Sequence, residues 1–237
     1  MFKESGNKII VSADDFGISQ KATENILNFV REGKIDRVEI MVSKNFSQEQ
    51  IQTLLNSGIK LDIHFHLIKE KLDYWQDHPR KIDEGALKRI FFFLFNYLTG
   101  KIGIKKVEKE WEEQLNHFQK LFGKLPDGIS SHEYIHFFPP YFKCVLKIAK
   151  KYGIKYVRFG KNLSRNSNII SIILNWLRKR NLEIFKEFAM ESSDFMISSD
   201  WFENVHTEIT KYPSGKQIEV VFHPELEDEY NTLDNSN

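Results

Sequence analysis

The sequence predicts an α/β protein in which parallel strands with outer helices close, or nearly close, into a (β/α) barrel. Three observations carry this expectation. Short β-rich apolar runs alternate with helical segments along the chain. About seven such runs suit a single barrel, so one domain is expected over residues 1–237. Polar residues of catalytic type also gather just after the runs, where parallel α/β folds keep their sites. A doubly wound open sheet is the alternative arrangement of the same elements.

Each element has a local reason. The first run, "KIIVS", leads to Ser19 and "SQKATENILNFVREG", where Ala22, Ile26, Phe29 and Val30 share one helical face and Gly33 supplies a stop. "RVEIMV" reads as the second strand and "SQEQIQTLLNSG" as the second helix, with Ser47 and Gln50 at capping-box spacing and Gly58 ending the run. "IKLDIHFHL" is the third strand. A mostly helical section from about Glu84 to Phe122 ends at Gly123, so residues 72–122 form a helical insertion before the fourth strand, "DGISSH". "PPYFKCVLKIAKKYG" is a helix with proline at its start and Gly153 past its end. "KYVRF" is a strand, "NSNIISIILNWLRKR" a helix, and "FAMESSD" and "KQIEVVFHP" are the last two strands. The tail "EDEYNTLDNSN" reads as loose.

Composition narrows the function classes. The 34 lysines and arginines balance 33 acids, which leaves no electrostatic footprint for nucleic acid or an anionic membrane. Cys144 is the one cysteine, sits in an apolar run and reads as core. The N-terminus lacks a signal-peptide pattern, and the most apolar stretch, "IFFFLFNYL", falls short of the roughly 20 residues a membrane span needs, so a cytoplasmic protein is expected. In that stretch Ile90, Phe91, Phe92, Phe93, Leu94, Phe95, Tyr97 and Leu98 occupy every side of a helix. It is expected to be a buried helix, a pocket wall or an oligomer interface.

The chemistry collects at strand ends: Asp14 and Asp15 in "SADDFG", His64 and His66 in "DIHFHL", His132 and His136 in "SSHEYIH", Arg158, Asp194 in "SSDF", and His223 in "VVFHP". Scattered surface histidines have no reason to prefer one rim. Two adjacent aspartates repel one another unless a cation relieves them; the plainer reading is that one caps a helix and the other faces water. His64 and His66 share a strand face, and His132 and His136, four apart, can face one cavity. A carboxylate with two histidines from three strand ends suits a divalent metal with open positions for water.

In order and approximate spacing, "SADDFGIS", "IHFHL", "SHEYIHFFP", "YVRF", "SSDF" and "IEVVFHP" resemble the YdjC-like carbohydrate deacetylase family, which includes chitooligosaccharide (chitin disaccharide) deacetylases and hopanoid-biosynthesis deacetylase relatives. The resemblance runs from about Lys8 to Pro224. It implies an irregular TIM-like barrel, a divalent metal ion, a homodimer, and removal of acetyl from an N-acetylated sugar or oligosaccharide. It implies Asp15, His64 and His132 as metal ligands, Asp14 as catalytic base, and His223 as the histidine of the closing His-Pro pair. Magnesium is common in the family, while two nitrogens and one oxygen also suit zinc, so Mg or Zn is expected. Three departures bear on the substrate: Glu133 and Tyr134 stand where the family has further histidines, Glu225 stands where a glycine follows the pair, and "LIKEK" replaces the usual residues after the third strand.

On this reading Asp14 takes a proton from water, and a general acid protonates the departing amine. His223 is the favoured acid; His136 is the other candidate, or else orients a metal ligand. Arg158 orients substrate or neutralises Asp14 or Asp194, and Asp194 joins the substrate-binding or supporting set. Trp75, Trp111, Trp176 and Trp201 are sugar-stacking candidates that also fit a core role. The competing functions are a metal-dependent hydrolase of another ester, amide or phosphate bond, and a non-catalytic sugar-binding barrel.

Overall fold

The computed structural model describes residues 6–42, 45–67, 93–162, 169–202 and 204–234. Among the described residues seven strands, all parallel, form one sheet: β1 Lys8–Phe16, β2 Arg37–Ile40, β3 Lys60–Phe65, β4 Gly128–Ser131, β5 Tyr156–Val157, β6 Phe195–Ser198 and β7 Gln217–Phe222. Their spatial order is β5-β4-β3-β2-β1-β7-β6, the cyclic order of a barrel cut once between β5 and β6. Isolated bridges from Tyr156 to Glu191 and from Lys161 to Phe195 stitch that cut. At the seam a Cβ on Gly160 would lie 2.7 Å from the Phe195 carbonyl carbon, so glycine lets the two edges meet. The result is a curled, irregular TIM-like barrel rather than a doubly wound sheet.

Helices α1 Gln20–Arg31, α2 Gln48–Asn56, α3 Ile104–Phe122, α4 Pro139–Tyr152, α5 Ile169–Glu187, α6 Val205–Ile209 and α7 Glu227–Asp234 surround the strands. The expected punctuation is present: Ser19 accepts a hydrogen bond from the Ala22 amide, Ser47 and Gln50 form the reciprocal capping box, and Gly123 and Gly153 end α3 and α4 in the left-handed conformation. Cys144 is buried in α4. No helix among the described residues is long and apolar enough to cross a membrane.

The two faces of the sheet differ in kind. Alternate residues such as Val11, Ala13, Val38, Ile40, Leu61, Ile63, Ile129, Val157, Val220 and Phe222 join the apolar core that the helices cover. Most of the intervening residues are polar: Ser12 and Asp14, Arg37 and Glu39, Asp62 and His64, Tyr156 and Arg158, and Glu219 are buried and joined by hydrogen bonds inside the barrel. Period-two alternation therefore puts hydrocarbon outside and ionic groups inside.

Two sequence expectations need correction. β6 is Phe195–Ser198 rather than "FAMESSD", because the apolar run that can be buried starts at Phe195. The tail is not loose through its first part. Residues Glu227–Asp234 form α7, with Leu233 buried and the Tyr230 ring 4.9 Å from Phe29. In the insertion, residues 93–98 are helical, and Phe93 and Tyr97 pack on Phe138 and Tyr141 while Leu94, Phe95 and Leu98 are exposed. Trp75 and Ile90–Phe92 lie outside the described residues.

Candidate active site

Strict alternation would send Asp15 outward with Ala13, away from Asp14. The chain avoids this with a bulge: against β2, Ala13 pairs with Val38 and Phe16 with Ile40, so β1 holds one extra residue there. Asp15 adopts a left-handed φ of 69°, and Gly17 follows at 96° in a place where a Cβ would meet the Met41 carbonyl oxygen at 2.7 Å. Both carboxylates are thereby brought to the mouth. A non-glycine residue held at positive φ costs on the order of 1–3 kcal/mol, strain that the surrounding contacts must offset.

Asp15 Oδ1 lies 2.8 Å from His132 Nδ1 and 3.3 Å from His64 Nε2. The three side chains can offer ligand atoms all within 4.8 Å of one another. His64 is braced from behind: its Nδ1 lies 2.6 Å from Ser130 Oγ, and the Ser130 hydroxyl donates in turn to Glu39. That chain commits Nδ1 to Ser130 and leaves Nε2 facing Asp15. His132 reaches Asp15 because the short helical turn His132–Phe137 is kinked, with Glu133 and Tyr134 both at φ 53°.

Asp14 has different partners. Its two oxygens accept from Arg158 at 2.7 and 2.9 Å, and Arg158, fully buried, also donates to Glu39 at 2.9 Å and Glu219 at 2.8 Å. Arg158 therefore faces three carboxylates. It is enclosed by protein, and the partners of Asp194 lie elsewhere, at Lys216 and Gln217.

Electrostatics separate the neighbouring aspartates. Burial lifts the Asp14 carboxyl above its ordinary range despite the opposing pull of Arg158 and His64. Burial acts on Asp15 as well, but His132 and then His64 outweigh it and hold that carboxyl well below the usual range. For Glu39 burial is outweighed by Arg158, His64 and Ser130 together, which hold the carboxyl down to about 2. For His64 burial is outweighed by Asp14, Asp15 and Glu39, which push the imidazole up to about 9. Arg158 alone does not balance the acids gathered here, and the cluster draws positive charge to His64.

The remaining candidates fall in three places. His136 is fully buried, its Nδ1 2.5 Å from Ser131 Oγ and its Nε2 2.8 Å from the Arg158 carbonyl; burial first of all pushes it down to about 3. Both ring nitrogens are engaged, one by the strand-end Ser131 and the other by the Arg158 carbonyl, whereas His132 faces Asp15. His66 is buried after β3, pushed down to about 3 by burial and then by His132 and His64. Asp194 stands at the opposite end of the barrel: it precedes β6, is exposed, and accepts from Lys216 and the Gln217 amide. Because the strand begins at Phe195, Asp194 is a strand-start residue and not a strand-end one.

His223 does lie at the mouth. The register that pairs Ala13 with Phe222 sets the residue that follows β7 beside the aspartate bulge. It belongs to a second cluster with Asp200 and Glu229. Between the clusters the Tyr134 hydroxyl is buried next to Asp14, Arg158, Ser198 and Asp200, with its ring 6.3 Å from Trp201. Trp111 is core and donates to the His66 carbonyl, whereas Trp176 is exposed.

Sequence reasoning missed Glu39, Glu219, Ser130 and Glu229. A signal existed for the first two: each is a single acid inside an apolar β run, "RVEIMV" and "IEVVF". In a parallel strand buried on both faces such a charge must have a partner. Glu229 carried no such signal, being one acid among several in a polar tail.

A chitooligosaccharide deacetylase of Escherichia fergusonii is 28% identical over 147 residues, covering 62% of this chain and 57% of the relative. A carbohydrate deacetylase of Danio rerio is 23% identical over 188 residues, covering 78% and 59%. One from Oceanobacillus iheyensis is 25% identical over 229 residues, covering 94% and 87%. The match thus spans between half and three fifths of the length of the Escherichia, zebrafish and mouse relatives (57%, 59% and 50%). The solved structure of a candidate cellobiose-phosphate cleavage protein from Enterococcus faecalis superposes with a TM-score of 0.65 at 19% identity, covering 97% of this chain and 91% of that one, which supports the fold. A family model described as YdjC-like protein matches residues 8–236, and the chain belongs to that family.

Proposed function

We propose that this protein is a metal-dependent carbohydrate deacetylase that hydrolyses the acetamide of an N-acetylated sugar or oligosaccharide to an amine and acetate. The observation that carries the proposal is the division of the Asp14–Asp15 pair, one carboxylate held by Arg158 and the other facing two imidazoles. The deacetylase names of the relatives support the reaction class.

Asp15, His64 and His132 fit one divalent ion, Mg or Zn. One oxygen and two nitrogens converge, Ser130 and Glu39 fix the His64 tautomer, and the acids around His64 already draw a positive charge that an ion would supply. Bound there, the ion would acidify water and polarise the acetyl carbonyl. Asp14, raised in basicity by burial and oriented by Arg158, takes the proton of the attacking water. His223 gives a proton to the nitrogen as the carbon–nitrogen bond breaks. His136, with both nitrogens engaged, braces the carbonyl of Arg158. Exposed Leu94, Phe95 and Leu98 are the face we assign to a homodimer.

The test is acetate release from N-acetylglucosamine oligomers, beside generic ester and phosphate substrates, for the protein stripped with chelator and then reloaded with Mg or Zn. Release that requires the ion and the N-acetyl sugar is expected. Turnover confined to phosphate substrates, or sugar binding with no acetate release, would contradict the proposal.

A further inference from the structure

We propose that Glu229 is the positioning residue for His223, a carboxylate delivered by α7 that fixes the imidazole in the tautomer and orientation proton donation needs. The inference rests on the reading of His223 as the proton donor. The second cluster at the mouth is built differently from the first. Glu229, in the first turn of α7, is buried, and its Oε2 accepts from the His223 backbone amide at 2.8 Å and from the Ser199 hydroxyl. Its Oε1 lies 3.4 Å from His223 Nδ1. Asp200, the third member, is exposed, and one of its oxygens accepts from the Ser198 hydroxyl.

A merely structural role for Glu229 would end with Oε2. Two neutral donors, an amide and a hydroxyl, are satisfied as well by a glutamine, which avoids burying a charge. What glutamate adds is a second oxygen beside Nδ1, and contacts of this length in unliganded enzymes commonly tighten when substrate binds. With Oε1 accepting, Nδ1 carries the hydrogen and Nε2 is the nitrogen that exchanges the catalytic proton. The step balances: hydroxide from water bonds to the acetyl carbon, and its proton goes to Asp14. The carbon–nitrogen electron pair stays on nitrogen, which receives the Nε2 proton and leaves as the amine.

Leaving-group dependence provides the test. An amine cannot depart from an acetamide without a proton, whereas 4-nitrophenolate departs from 4-nitrophenyl acetate unaided. Glu229→Gln is expected to lower kcat on N-acetylglucosamine oligomers by about 10–100-fold with KM little changed, and to leave ester hydrolysis within about twofold. Glu229→Asp, which keeps the charge, is expected to recover part of the amide rate. His223→Asn is expected to show the same split at about 100-fold or more, and the double variant to be no worse than His223→Asn alone. A His223→Asn protein without the split would remove His223 as the acid. The split in His223→Asn but not in Glu229→Gln would overturn the role of Glu229 while leaving that of His223 intact. Equal loss on both substrates would mean packing only, Glu229→Asp as poor as Glu229→Gln would deny the charge a role, and lower metal content in Glu229→Gln would make the cluster an ion site instead.

Discussion

At one side of the barrel mouth a carboxylate, Asp15, is flanked by two imidazoles; at the other a single imidazole, His223, is flanked by carboxylates. The first arrangement leaves acceptor atoms of three residues converging on one point, which suits a cation. The second commits Glu229 Oε2 to an amide and a hydroxyl, which suits holding a ring. Similar residue types thus stand in two different settings, and what separates them is the hydrogen bonding behind each cluster. Ser130 and Glu39 stand behind His64 and aim a nitrogen outward, whereas backbone and serine donors stand behind Glu229 and fix it in place.

The largest way to break this comparison is to remove a member of the first cluster. His132→Ala is expected to empty the ion site and lower deacetylation by about a thousandfold, the scale of several kcal/mol of lost charge stabilisation. Wild-type metal content in that variant would exclude His132 as a ligand. Next is the support shared by Asp14, Glu39 and Glu219. Arg158→Met leaves three buried carboxylates without their cation and is expected to cost about 3–5 kcal/mol, lowering Tm by about 10 °C or more. An unchanged Tm would show that these acids are protonated and need no partner.

Glu39 sharpens the comparison through pH. Its folded pKa of about 2 lies below the ordinary 4.5, so the stability it contributes is present above about pH 4.5 and is lost as pH falls toward 2. The stability gap between wild type and Glu39→Gln, on the order of 2–3 kcal/mol near neutrality, should close over that window in denaturant titrations. A gap independent of pH would deny the ion pair with Arg158. The smallest effect belongs to Asp194→Ala: turnover unchanged and stability within about 0.5 kcal/mol, as for other exposed positions. A marked loss of activity would return Asp194 to the site.

Much of this was legible before the fold was known. Capping residues and the left-handed glycines gave the helices, because those signals are local. Strand-end position singled out Asp14, Asp15, His64, His132 and His223 as candidates, and the fold gathers all five at one mouth, because parallel strands share their carboxyl ends. The bulge was not legible: alternation alone separates Asp14 from Asp15, and only the extra residue in β1 and the φ of Asp15 bring both to one mouth. Nor was the fate of His136, since helical spacing from His132 says nothing of the left-handed pair Glu133 and Tyr134 between them. Asp194 read as a strand-end residue because the strand was placed too far toward the N-terminus. Glu229 was hidden because a short amphipathic helix in a polar tail acquires its meaning from what it packs against.

The division of labour between the adjacent aspartates is the central claim, and metal content measured side by side in Asp14→Asn and Asp15→Asn tests it most directly. The account predicts that Asp14→Asn keeps the wild-type ion content while losing about 100-fold or more in acetate release, and that Asp15→Asn loses the ion itself. An Asp14→Asn protein stripped of metal beside a fully loaded Asp15→Asn protein would contradict it and exchange the two roles.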